Sequence, residues 1–227
     1  MTDTPVSLTR KSLKTPRAAA IAGIVFALLY GTSLVLIYLS IPPEPVAGST
    51  TWLETSSGTV SFALNLIPYA GIAFLWFIGV IRDLIKEVED HLFATVFLGS
   101  GLLFLALTFL GAAFAGGLLS SYAHSSQILV ESGVFTYGRS VMYQIIHIYS
   151  IRMAALFMIS LGTIWIRTGV MHRGWAYLTY GLALVLLLII SYSLLVALIF
   201  PAWVLMISIL ILIRNLQGKS LREPSGT

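Results

Sequence analysis

The sequence predicts an all-α, polytopic integral membrane protein: six transmembrane helices in one bundle, with no soluble domain. Three observations predict it. The 227 residues are 58% hydrophobic and only 10% charged, whereas a soluble domain runs at roughly 45–50% apolar and about 25% charged; so little charge cannot coat a water-facing surface. The apolar residues gather in uncharged runs of bilayer-spanning length. The basic residues, once those runs are laid out, fall almost entirely on one side.

Residues 1–17 form a basic tail. Ala18 to Ile41 is then an uncharged run of 24, enough at roughly 1.5 Å per residue to cross a hydrocarbon core of about 30 Å. Pro42 and Pro43 close it. A cleavable signal peptide has an apolar region of only about 7 to 15 residues, so this run reads as a retained anchor helix. The second helix is expected over 60–81 and the third over 92–120, whose 29 residues must tilt or project beyond the lipid. Between them Arg82 to His91 carries four acids and two bases and keeps apolar residues at helical spacing, which suits a solvated helical extension of the second segment.

The fourth segment is expected over 141–166. From Trp175 to Ile213 there are then 39 residues without a formal charge, about 58 Å as one straight helix and nearly twice the core thickness. The run must fold back. Pro201 suits the first turn of a new helix, where its missing N–H is no loss, and Ser191 to Ser193 are polar. Segments five and six are therefore expected over 175–194 and 199–215, with a cytoplasmic tail from 216. Helix is the conformation that satisfies its own backbone in lipid, and no alternating barrel pattern occurs.

Six crossings place both tails and the turns 82–91 and 167–174 on one side. Eleven of the thirteen lysines and arginines lie there; Arg139 falls in an opposite loop and Arg152 inside a segment. The positive-inside rule makes the eleven-residue side cytoplasmic. Because that rule did not choose the segments, it supports six independently. The chain is thus expected in the plasma membrane with both termini cytoplasmic. Tryptophans fall near segment ends, as an interfacial ring prefers, and Ile81-Arg82, Ile166-Arg167 and Ile213-Arg214 repeat an aliphatic-arginine exit.

In lipid, helices associate through small residues and polar contacts. Ala19, Gly23, Ala27 and Gly31 form a four-residue ridge in the first helix, and Gly111 with Ala115 and Ala112 with Gly116 share that spacing in the third. Such ridges pack within the chain or against a second copy. In the second helix Pro68 lies one turn from Asn65, which marks a kink that either is packed against a neighbour or lines a ligand site.

The polar stretch Tyr143 to Arg152 opens the fourth segment. A charge inside the bilayer is expensive, so Arg152 should face protein or water. It reads two ways. Either the helix projects into the outer headgroups with Arg152 bonded to a carbonyl or carboxylate, or an outward-facing polar pocket exists. The candidate pocket residues are Asn65, His124, Glu131, Gln144, His147 and Arg152, under a roof formed by the 121–140 loop with Tyr122, Tyr137 and Arg139. Such a pocket would take a lipid headgroup or small anion, or sense pH through His147.

No HExxH, GxSxG, P-loop or GxGxxG occurs, and no carboxylates cluster inside a helix, so no catalytic residue and no metal site are expected. Zero cysteines exclude disulfides and thiolate chemistry. No cofactor is expected; paired histidines, His124 with His147 and His91 with His172, leave a remote haem b electron-transfer alternative, against which His91 and His172 look like turn residues. The net charge of +4 marks orientation and not a nucleic-acid partner. The expected partners are the lipid bilayer and a membrane protein or further copies of the chain. Two functions follow: a structural or accessory interaction protein, and a small transporter, channel or sensor with its pocket in the outer half of helices two and four.

Overall fold

The computed structural model describes residues 15–41, 51–85, 91–169, 172–189 and 193–216. Both tails, Pro42 and Pro43, residues 86–90 of the charged turn, and Ser191 with Tyr192 lie outside the described residues. Among the described residues the chain is helical throughout: α1 (Thr15–Ser40), α2 (Thr51–Thr55), α3 (Ser57–Ile85), α4 (His91–Glu131), α5 (Val134–Tyr143), a π-helical segment (Gln144–Ser150), α6 (Ile151–Thr168), α7 (Arg173–Leu188) and α8 (Leu194–Leu216).

Five helices are long and apolar enough to cross a bilayer, with α5, the π segment and α6 counted as one continuous span. The remaining apolar helix, α7, has 16 residues, about 24 Å of rise. Two boundaries differ from expectation for physical reasons. Pro201 does not start a helix; it sits seven residues inside α8. The chain reverses earlier, beyond Ile189, whose φ of −88° and ψ of 115° leave the helix. A proline is tolerated inside a membrane helix because it removes one backbone donor that neighbours can compensate. The expected 121–140 loop is also helical. α4 runs for 41 residues, roughly 60 Å, so its polar last turns continue past the apolar part, and Gly133, at φ 73°, reverses the chain directly into α5. That left-handed conformation suits glycine.

α1 packs against α3 and α8, α3 against α4, α4 against α6, and α6 against α7, while α8 stands farther from α6 and α7 and meets them through Phe200 and Trp203. Arg17 Nε donates to Asn215 Oδ1 at 2.8 Å, and the Arg167 guanidinium lies 4.6 Å from the centroid of the Phe93 ring. The first turn of α1 thus meets the last of α8, and the end of α6 meets the start of α4. We call this the basic end of the bundle.

Aromatic rings fill the centre. Phe26 of α1 lies 4.6 Å from Phe74 of α3; Phe74 is 5.4 Å from Phe104 of α4 and 5.4 Å from Phe157 of α6; Phe104 is 4.6 Å from Phe200 of α8. Phe97 stacks on Phe157 at 4.5 Å, and Trp203 extends the set toward Trp165 at 6.1 Å. Broad rings close an axis where several helices converge, and offset or edge-on contacts add to their attraction. Three bonds made by buried or half-buried hydroxyls lock neighbours together. Ser33 Oγ donates to the Ala63 carbonyl at 2.8 Å, Trp203 Nε1 donates to Thr179 Oγ1 at 2.9 Å, and the Thr163 and Tyr180 hydroxyls lie 2.7 Å apart. The ridge of α1 packs internally where Gly23 meets Ser208 and Phe77, with no room for a Cβ.

Candidate functional site

Away from the basic end, the centre of the bundle opens into a narrow slot of about 90 Å³. α1 lines it from Tyr30 to Ile41, and α3 contributes Val60, Leu64 and Ile67. α4 contributes Thr108, Gly111, Ala112 and Ala115; the π segment brings Ile146 and His147; Ser193, Leu194 and Ala197 close the α8 side. The slot exists because α4 offers small side chains there. Gly111 lets the backbone approach Ile146 closely, while the methyl groups of Ala112 and Ala115 stop short of filling the axis.

Three of the helices around the slot are irregular at its level. Pro68 cannot donate to the carbonyl of Leu64, nor Pro201 to that of Ala197, and both Leu64 and Ala197 line the slot. The third irregularity is the π segment, seven residues long; π turns are uncommon and are found frequently at functional sites. Its wider turn leaves Tyr143 and His147 on one side, their rings 5.4 Å apart and nearly parallel at 29°. Arg139, buried in α5, lies 5.5 Å from the centroid of the Tyr143 ring and places Nη2 3.4 Å from its hydroxyl.

The floor is hydroxylic and closed. The Tyr30 hydroxyl bonds Thr108, Thr108 Oγ1 donates to the Phe104 carbonyl at 2.8 Å, and the Thr108 and Ser150 hydroxyls lie 3.1 Å apart. Beneath it lie Phe26, Phe104 and Phe200. At the far end Ile41 and Val60 belong both to the slot and to a second apolar cluster with Trp52, Leu53, Leu118 and Phe135, which caps the axis. Trp52 of α2 lies 6.3 Å from Phe135 of α5, and the Tyr122 hydroxyl donates to Glu54 at 2.9 Å.

No protein family, curated protein or solved structure significantly matches the chain.

Of the six residues singled out in the sequence, His147 alone lines the slot. Asn65 is exposed on α3, on a different face from Leu64 and Ile67. His124 is exposed on α4 with Nδ1 2.9 Å from the Ser120 carbonyl. Glu131 is exposed where α4 ends, and Gln144 is exposed on the π segment. Arg152 is half-buried and donates from Nη1 to the Ile148 carbonyl at 2.8 Å, so its side chain lies back along its own helix. His172 caps α7 by accepting from the Gly174 N–H at 3.1 Å; the side chain of His91 lies outside the described residues. Tyr30 and Thr108 were not singled out, and Tyr143 and Ser150 lay in the polar stretch but not among the candidate pocket residues. Hydroxyls at mid-run in otherwise apolar helices are the signal that marks Tyr30, Thr108 and Ser150.

Proposed function

We propose that the chain is a plasma-membrane protein with six crossings and both termini cytoplasmic, acting as an accessory or interaction component and not as a conduit. The aromatic centre carries this reading. Among the described residues, rings from five helices meet at 4.5 to 6.1 Å and occupy the axis between the slot and the basic end. The contact of Arg17 with Asn215 supports an even number of crossings, with α7 as the short sixth. Exposed Ile21, Leu28, Phe62, Leu102, Leu184 and Leu195 give the bundle the apolar exterior that a bilayer requires.

In proteoliposomes the protein should leave ion and small-solute gradients intact, and cross-linking in native membranes should yield a discrete adduct with a second copy or another membrane protein. Protein-dependent flux would overturn the reading. A second function, ligand sensing, is favoured by one observation: the slot lies where α3, α8 and the π segment all depart from regular α-helix, the kind of place where a bound molecule can bias helix geometry.

A further inference from the structure

We propose that the slot holds one alkyl chain of a membrane phospholipid, which enters sideways between the start of α8 and the π segment. The inference rests on the membrane reading and goes beyond it by naming an occupant. Shape is the first argument. From Tyr30 to Ile41 the slot follows eleven residues of α1, roughly 16 Å of rise, yet it encloses only about 90 Å³. A space so long and so thin suits a single unbranched chain.

Chemistry is the second. The walls are mostly aliphatic, with Tyr38, Tyr143 and His147 among them, and the floor hydroxyls of Tyr30, Thr108 and Ser150 already bond one another and the Phe104 carbonyl. A headgroup pushed to that floor would lose water and gain little, which is unfavourable for any polar group. A methyl terminus loses nothing there. The chain therefore lies tail-inward with its headgroup toward Ser193 and the capped end. Access is the third argument. The cluster around Trp52 and Phe135 closes the axial end, whereas Leu194, Ile146 and His147 line the slot yet are only half-buried, and Leu195 beside them is exposed, so the side wall is where a lipid chain can pass.

The test uses the full chain in phosphatidylcholine vesicles containing a phosphatidylcholine with a diazirine at the end of one chain. After irradiation, adducts are mapped by peptide mass spectrometry. Adducts are expected on slot residues such as Leu34, Ile146 and His147, besides the exposed face at Leu102 and Leu195. In Ala112→Leu, which fills the slot, the slot adducts should be lost while the face adducts persist; Ala115→Leu repeats the test should the first variant fold poorly by size exclusion. Face adducts without slot adducts in the wild type, or slot adducts undiminished in both folded variants, would overturn the proposal. Loss of the face adducts as well would instead count against membrane embedding. A diazirine fatty acid is the second arm: slot labelling by it and not by the phospholipid would overturn the assignment to a phospholipid.

Discussion

The two halves of the bundle are built from the same helices and differ in what occupies the axis. Toward the basic end, Phe74 touches rings from α1, α4, α6 and α8 and is wholly buried. Toward the capped end, Ala112 and Ala115 stand where rings would be, and the axis is hollow. The π segment borders the hollow half, and the carbonyls that Pro68 and Pro201 leave without their helical donor belong to Leu64 and Ala197, which line it. Where large rings converge, packing dictates one arrangement. Where the axis is left open, helix geometry is free to vary and a ligand can decide it.

The contrast can be broken at several places. Phe74→Ala should be the most damaging change, costing about 3–5 kcal/mol because the other rings cannot collapse into its space; unfolding in a mild detergent measures it. Thr108→Val lies on the boundary between the halves. It keeps the shape but strips the floor of the group that pairs Tyr30 with Ser150, an expected loss of about 1–3 kcal/mol from buried groups left unsatisfied. Ser33→Ala removes the bond from α1 to the Ala63 carbonyl, and since interhelical bonds in membranes average about 0.6 kcal/mol its effect should be just measurable. Ala112→Leu should do least, because the carbons that leucine adds occupy a slot of about 90 Å³.

The five long apolar helices among the described residues were legible because each holds about twenty or more residues with little or no charge, and the charges of Arg17, Arg82, Arg167 and Arg214 mark where they stop. The last turns of α4 were not. Tyr122 and His124 are polar for an apolar helix, but α4, at 41 residues, is long enough to run past its apolar part. Pro201 misled because proline favours a first helical turn yet is also compatible with a membrane helix interior. The π segment leaves no trace in apolar spacing, since one added residue per turn blurs the period and does not replace it. The slot was hidden for a different reason. Gly111, Ala112 and Ala115 show the spacing of a packing ridge, and the first is one, against Ile146; whether the others pack or leave a void depends on what faces them, which is a tertiary fact. Arg152 was legible as a group needing a partner, and the Ile148 carbonyl supplies it.

The most direct test of the filled and hollow halves adds the same side chain to each. Ala155 is wholly buried on α6, and Ala155→Leu should be overpacked there by about 1–3 kcal/mol. Thermal unfolding of purified Ala112→Leu and Ala155→Leu, side by side with the wild type, reads the difference. The account expects the slot variant to unfold at or above the wild-type temperature and the Ala155 variant several degrees below it; equal destabilisation by both would contradict it.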